Sequence, residues 1–170
     1  MQARKFEPGQ FYRLQNFEAN SLVLEGAKLQ MEGIALTGAW VDKEKGLLSL
    51  ITLELGVSSR LCSLLRVGEE VEVMGPTGTP TEIGRSENAV LCGGGLGNAV
   101  LFSIARAMKD AGNRVVYFAG YRKREDLFHR EEIEAACDMV IWSVDAGSAI
   151  DARRPQDRTR DRLARGPCRV

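Results

Sequence analysis

Hydrophobic and polar residues alternate with a period of two in short stretches of the first half of the chain. Residues 51–55 and 71–73 show this alternation, and Gly, Pro and charged residues separate the apolar segments. A period of two is typical of strands that bury one face. The pattern therefore predicts antiparallel β structure, with residues 42–46 as a hairpin turn between strands near 34–41 and 47–55. It also predicts one short helix at residues 58–65.

The pattern changes at about Glu87. Residues 89–92 form an unbroken apolar run, which predicts a strand buried on both faces. An apolar stripe with helical spacing follows from Val100 to Met108, and Gly112 is a typical helix stop. Further strands at 114–120 and 138–144, joined by a helix at 129–136, complete an alternation that predicts a parallel sheet with right-handed crossovers.

A glycine-rich segment joins the apolar run at 89–92 to the helix. It reads Cys92-Gly93-Gly94-Gly95-Leu96-Gly97-Asn98-Ala99. Glycines permit a sharp turn and let a diphosphate approach the backbone, while amides at the helix start supply donors and positive potential. The segment predicts dinucleotide binding through Gly94, Gly95, Gly97 and Asn98; the alternative is a tight turn with no ligand.

Basic residues follow the second strand of this half. In dinucleotide folds the end of this strand faces the adenosine ribose, where an arginine favours a 2′-phosphate. Arg122 and Lys123 occupy this place and favour NADP over NAD. The alternative is a solvated charged loop, because Glu125 and Asp126 follow at once.

Three other features are candidates for chemistry. Gly56, Ser58 and Ser59 open the short helix and could hold a second phosphate pair, although capping explains the serines equally well. The segment from Gly75 to Gly78 has turn chemistry. The single histidine, at position 129, is interpreted as an exposed residue at a helix start, without a role in acid–base catalysis.

Composition narrows the classes of function. The chain has 23 Lys and Arg against 23 Asp and Glu, so no net field favours nucleic acid. The four cysteines lack the paired spacing of metal ligands, so we expect reduced thiols, a cytoplasmic protein and no metal site. No apolar stretch approaches the roughly 20 residues of a membrane span.

The last twenty residues break the pattern. Residues 151–170 contain seven arginines and three aspartates and almost no periodic apolar positions. Because such a segment buries little apolar surface, we expect a poorly ordered tail. An RNA-binding arm is the weaker interpretation, since no aromatic side chains are interleaved for base stacking.

Four motifs occur in order along the chain: Phe6-Glu7-Pro8-Gly9-Gln10-Phe11, Gly56-Val57-Ser58-Ser59, Gly75-Pro76-Thr77-Gly78 and Gly94-Gly95-Leu96-Gly97-Asn98-Ala99. Taken in this order, they resemble the ferredoxin–NADP reductase superfamily, and in particular the electron-transfer subunits of dihydroorotate dehydrogenase. The resemblance implies a two-domain α+β protein. An antiparallel, flavin-binding β-barrel at residues 1–86 would precede a partial α/β NAD(P)-binding domain at 87–150, with the tail at 151–170.

The resemblance also implies a function. It implies an oxidoreductase subunit in which hydride passes between NAD(P)H and the N5 atom of FAD or FMN, and electrons continue to a larger redox partner. Gly56, Ser58, Ser59, Gly75 and Gly78 would contact the flavin, and the residues of the glycine-rich segment, with Arg122, would contact the dinucleotide. No residue is nominated as a general acid or base, since the chemistry belongs to the cofactors.

The sequence departs from the family at several points. The arginine and serine of the family's flavin motif are expected near residues 32–36, where neither is present. The alternative function is therefore a non-catalytic, flavin-free remnant or a nucleotide-binding assembly subunit of the same fold. The chain is expected to be truncated at both ends, with an open sheet edge beside the strand at 139–142.

Overall fold

The computed structural model describes residues 2–16, 23–28 and 31–160. The chain divides into two compact units, Met1–Thr81 and Glu82–Val170. The expected domain boundary after residue 86 lies five residues later in the chain. Among the described residues, no helix is long and apolar enough to cross a membrane.

The first unit is built on an antiparallel sheet. Its strands and its α-helix are β1 (Phe11–Asn16), β2 (Val23–Leu24), β3 (Ala27–Lys28), β4 (Met31–Asp42), β5 (Leu47–Leu50), α1 (Val57–Leu61) and β6 (Glu72–Thr77). Four strands form a sheet in the order β5-β4-β1-β6, and β2 pairs with β3 as a small hairpin. Phe6 and Tyr12 stack in the core with their ring centroids 6.0 Å apart.

The predicted hairpin at residues 42–46 is present, but its second strand is shorter than predicted. β5 ends at Leu50, and Leu53 and Leu55 are 48% and 78% exposed. The strand predicted to reach residue 55 is therefore wrong from residue 51 onward. The chain leaves the sheet there and turns into α1, where the backbone N–H of Leu55 donates to the Ser59 hydroxyl.

The second unit is a parallel sheet with helices. Its elements are β7 (Asn88–Gly94), α2 (Asn98–Asp110), β8 (Arg114–Tyr121), α3 (Arg130–Ala135), β9 (Met139–Val144) and β10 (Arg158–Arg160). The strand order is β10-β9-β8-β7, with every pair parallel. The predicted order of an antiparallel unit followed by a parallel α/β unit is thus observed.

One face of the parallel sheet forms the core of this unit. Helix α2 packs on β7 and β8, and α3 packs on β9. The strand residues buried in this core are Leu91, Val115, Tyr117, Ala119, Tyr121, Val140, Trp142 and Val144. Burial of β7 on both faces was predicted and is wrong, because Val90 is 62% exposed and no described element covers it.

The expectation of a poorly ordered tail is wrong for residues 151–160, and the expectation of an open edge beside β9 is wrong as well. β10 pairs with β9, so that Thr159 lies opposite Trp142. The buried carboxylate of Asp157 accepts from the guanidinium of Arg154 and, at 2.9 Å, from the backbone N–H of Val140. This ion pair orders a segment whose composition alone indicates disorder. Residues 161–170 lie outside the described residues.

Candidate nucleotide-binding site

The carboxyl ends of three parallel strands meet at one edge of the sheet in the second unit. Gly94 at the end of β7 lies opposite Gly120 of β8, and Gly120 lies opposite Ser143 of β9. This register places the glycine-rich turn next to the segment that begins at Arg122. Ligands of open α/β sheets bind at the carboxyl ends of the strands, so this edge is the candidate site.

The turn between β7 and α2 presents bare backbone. A 3₁₀ turn, Gly95–Gly97, connects the two elements. A Cβ built on Gly94, Gly95 or Gly97 would meet no atom within 4 Å, and Gly95 has a φ of +52°, which favours glycine. These three glycines therefore leave open space in front of the turn.

The beginning of α2 suits an anion. The helix has 13 residues and no acidic residue in its first turn. The helix continues directly from the 3₁₀ turn, because the backbone N–H of Asn98 donates to the carbonyls of Gly95 and Leu96. The amides of the turn itself come first in this helical segment, and the helix dipole places positive potential there. Open glycines followed by such a helix start fit the diphosphate of a dinucleotide.

Gly93 and Asn98 play a different part from the three open glycines. A Cβ on Gly93 would lie 2.2 Å from Oδ1 of Asn98. The Asn98 side chain is fully buried, and its Nδ2 donates to the carbonyl oxygens of Gly95 and Gly120, at 2.9 and 3.2 Å. The Asn98 side chain thus lies behind the turn, and its predicted contact with a ligand stays a prediction.

Arg122 and Lys123 lie directly after β8, and both are exposed. Within the described ranges, no salt bridge involves Arg122. The acidic neighbour Asp126 is occupied locally, because its carboxylate accepts from the backbone N–H of Lys123 at 3.0 Å. The guanidinium of Arg122 is therefore available to an anion beside the turn.

In the first unit, the structure supports the capping interpretation of Ser59. The Ser59 hydroxyl accepts from the backbone N–H groups of Leu55 and Gly56, at 3.0 and 2.8 Å, and donates to the Gly56 carbonyl. A Cβ on Gly56 would meet only Ser59 Oγ, at 3.9 Å, so space remains in front of this turn. The side chain of Ser58 lies outside what the structure describes.

Gly75 and Gly78 have a packing reason to be glycine. Their φ values are +136° and +93°. A Cβ on Gly75 would lie 2.8 Å from the Tyr12 ring, and one on Gly78 would lie 3.2 Å from the Phe11 ring. Their predicted contacts with a flavin stay predictions.

The single histidine lies at the start of α3, as predicted. His129 has a φ of +51°, and its Nδ1 lies 3.3 Å from the carboxylate of Glu132 on the same helix. Its ring packs edge-on against Phe102 and Phe128. These contacts fit a structural role at the helix start.

Sequence reasoning missed the hydrogen bonds that join the buried Asn98 side chain to Gly95, Gly120 and Tyr117. The Tyr117 hydroxyl donates to Asn98 Oδ1 at 3.0 Å in the core. The available signal was an asparagine at the first position of an apolar helix, together with a tyrosine inside a strand predicted to be buried. Both side chains carry polar groups that need partners when buried.

No family model matches the chain. Comparison of sequences finds a dihydroorotate dehydrogenase B (NAD(+)) electron transfer subunit homolog of Thermotoga maritima, 32% identical over 148 residues, which cover 86% of this chain and 48% of the relative. The corresponding electron transfer subunit of Bacillus pumilus is 30% identical over 108 residues, covering 62% of this chain and 42% of the relative. The chain spans about half the length of the curated relatives it matches.

Comparison of structures gives the same picture. A chain of the NADH-dependent reduced ferredoxin–NADP oxidoreductase, studied for flavin-based electron bifurcation, matches with a TM-score of 0.74 and 30% identity, over 86% of this chain and 50% of that chain. The cytochrome b5 reductase domain of Ulva prolifera nitrate reductase matches with a TM-score of 0.61 and 18% identity, over 83% of this chain and 62% of that chain, which shows the fold alone.

The sequence and structure matches confirm the resemblance to the ferredoxin–NADP reductase superfamily that the four motifs predicted. The fold class is confirmed with it. The sequence relatives are electron transfer subunits of dihydroorotate dehydrogenase B, which confirms the narrower resemblance as well.

Proposed function

We propose that this chain is part of an oxidoreductase subunit that passes electrons between NAD(P)H and a bound flavin, FAD or FMN, and then to a larger redox partner. The observation that carries this proposal is the open glycine turn at the start of α2. The names of the relatives, which are NAD(+)-linked electron transfer subunits, support it. The described cysteines are thiols and not disulfides, which favours a reducing compartment such as the cytoplasm.

The residues of the second unit have separate roles in this proposal. The backbone of Gly94, Gly95 and Gly97, at the positive start of α2, would hold the diphosphate of the coenzyme. Arg122 would favour a coenzyme with a 2′-phosphate on its adenosine ribose. When bound, the nicotinamide and the flavin supply the hydride-transfer chemistry, and the protein binds and orients them.

The flavin is assigned to the first unit. The turn at Gly56 has room for a phosphate group, and Ser59 holds that turn in shape through its hydrogen bonds to Leu55 and Gly56. Gly75 and Gly78 shape the chain beside Tyr12 and Phe11. The family's overall arrangement, rather than an open cradle at these two glycines, supports a flavin here.

An absorbance spectrum tests the flavin. The purified chain is incubated with FAD and, separately, with FMN, and free flavin is removed. We expect a yellow protein that retains one of the two. A chain that stays colourless with both rules out the oxidoreductase proposal.

Coenzyme preference is tested under anaerobic conditions. NADH and NADPH are added separately to the yellow protein, and bleaching of the flavin is followed over time. Because Arg122 and Lys123 lie exposed beside the turn, we expect NADPH to bleach the flavin faster. Equal rates would remove the proposed preference.

A second function fits two observations in the first unit. The Ser59 hydroxyl is engaged by the backbone at its own helix start, and the arginine and serine of the family's flavin motif are absent from residues 32–36. A flavin-free subunit that binds only a nucleotide would have these properties. Nucleotide binding by a colourless protein would distinguish this function from the first.

A further inference from the structure

All hydrogen-bonding groups of the Asn98 side chain are used inside the protein. An asparagine side chain offers two N–H donors and one carbonyl acceptor. In this buried residue, Nδ2 donates to the carbonyls of Gly95 and Gly120, and Oδ1 accepts from the Tyr117 hydroxyl. Such a fully satisfied polar group makes a buried contact specific.

These bonds join two segments that are distant along the chain. Gly95 belongs to the turn after β7, whereas Gly120 lies in β8, near its carboxyl end. The first segment carries the backbone that would face a diphosphate, and the second leads directly into Arg122. One side chain therefore fixes the spacing between the two halves of the candidate site.

Gly93 makes this arrangement possible. A Cβ at Gly93 would lie 2.2 Å from Asn98 Oδ1 and 2.9 Å from Leu101. Any larger residue would displace the Asn98 side chain. The glycine-rich segment thus contains one glycine that makes room for Asn98 and three that leave space in front.

The chemistry of the site requires an amide and not a carboxylate. Burial raises the pKa of Tyr117, so its hydroxyl stays protonated and donates to Oδ1. Nδ2 then faces two carbonyl oxygens. A carboxylate of the same shape would place a second acceptor against them and leave both carbonyls without a donor.

We propose that Asn98 is a positioning residue for coenzyme binding, which locks the glycine turn after β7 to the carboxyl end of β8. It acts through Gly95 and Gly120 and not by touching the coenzyme. This inference rests on the proposed function, because it assumes that the turn binds a nicotinamide dinucleotide.

The test compares Asn98→Asp with a matched core variant in the full chain. Calorimetric titrations with NADH and with NADPH measure Kd, and thermal unfolding measures Tm. We expect Asn98→Asp to raise Kd roughly tenfold, since one well-placed polar contact is commonly worth that factor. Val115→Ala, a buried change at the opposite end of β8, lowers Tm and leaves Kd within about twofold.

Two further measurements keep the inference open to disproof. If Asn98→Asp does not fold, Asn98→Ser replaces it, because one hydroxyl cannot donate to both the Gly95 and the Gly120 carbonyls. A raised Kd supports the inference, and an unchanged Kd overturns it. In flavin reduction, Asn98→Asp should raise KM for the coenzyme and leave kcat within about twofold. A fall in kcat at unchanged KM would overturn the positioning role.

The outcomes separate the inference from the proposed function. If the wild-type chain binds neither NADH nor NADPH, the proposed function fails and the inference fails with it. If the wild-type chain binds a coenzyme and Asn98→Asp binds it equally well with a lowered Tm, only the inference fails, and Asn98 stabilises the fold alone.

Discussion

Two glycine-containing segments, one in each unit, have the same signal in the sequence and opposite surroundings in the structure. From Gly75, within β6, to Gly78, just after it, aromatic rings of β1 occupy the space where a Cβ would lie. In the turn from Gly94 to Gly97, the same space is open. The first segment needs glycine for its own packing, whereas the second leaves room for a ligand, with Gly95 also at a positive φ.

The comparison shows that a cluster of glycines indicates that some group comes close to the backbone. It does not say whether that group is a side chain of the protein or a ligand. Backbone conformation adds a second distinction. Gly75, Gly78 and Gly95 have positive φ, whereas Gly94 and Gly97 have φ values of −132° and −59°, which any residue can adopt. Substitution should therefore affect folding at Gly75 and Gly78, and binding at Gly94 and Gly97.

The largest effect is expected for Gly75→Ala. The new Cβ would lie 2.8 Å from the Tyr12 ring, and residue 75 has a φ of +136°. The cost of the clash therefore adds to the cost of backbone strain. We expect the free energy of unfolding to fall by about 2–3 kcal/mol, measured by urea denaturation.

Gly46→Ala is the matched control for this substitution. Gly46 has a φ of +71° and no atom within 4 Å of the Cβ position, so its cost is backbone strain alone, about 1 kcal/mol. If Gly75→Ala lowers the free energy of unfolding no more than Gly46→Ala does, packing against Tyr12 does not explain why residue 75 is a glycine.

A smaller effect, on affinity rather than stability, is expected for Gly94→Ala. The added methyl group meets no protein atom, so the free energy of unfolding should change by less than about 0.5 kcal/mol. The same methyl group lies where the diphosphate would approach, so Kd for the coenzyme should rise roughly tenfold.

Calorimetric titration measures this Kd. Gly75→Ala is the control, because its affinity for the coenzyme should be unchanged. Equal affinity for wild type and Gly94→Ala would contradict the open-cradle interpretation.

The smallest effect concerns Asp138, at the opposite edge of the parallel sheet from the turn. Hydrogen bonds from Lys109 and from the backbone N–H of Val115 hold the pKa of this carboxyl below its usual value. A group whose pKa is depressed by folding stabilises the protein above its unfolded pKa, and loses that contribution as pH falls through the folded pKa.

Asp138→Asn should therefore lower the free energy of unfolding by at most about 1 kcal/mol at pH 7, since the Asp138–Lys109 pair is more than a third exposed. The difference from wild type should shrink below about pH 4, where the unfolded carboxyl protonates. Urea denaturation at several pH values measures it. Asp110→Asn, which removes a more exposed ion pair with Arg106, should lower the free energy of unfolding at pH 7 by less than Asp138→Asn does. A constant difference for Asp138→Asn down to pH 2 would contradict this account.

Periodicity predicted most of the fold. The helical stripe from Val100 to Met108 lies in α2, and the apolar runs of the second half lie in β7, β8 and β9. The misses have one physical cause, which is that local pattern does not say whether a partner exists. Leu53 and Leu55 alternate like a strand, but no strand pairs with them in the described residues.

For the segment around β10 the error is the opposite one, because a strand lies where none was predicted. Its composition indicates disorder, yet the contact between Asp157 and the Val140 backbone joins residues 17 positions apart and orders it. The candidate site shows the same limit. The sequence predicts where the turn lies. Only the structure distinguishes Gly93, which makes room for Asn98, from the glycines that face open space.

An NMR titration of the ¹⁵N-labelled full chain tests the central claim most directly. NADH and NADPH are added in separate titrations, and the shifts of the backbone amide signals are followed. The account predicts shifts at Gly94, Gly95, Gly97 and Arg122, and none at Gly75 or Gly78. Shifts confined to Gly75 and Gly78, or no shift in the turn from Gly94 to Gly97 with saturating coenzyme, would contradict it.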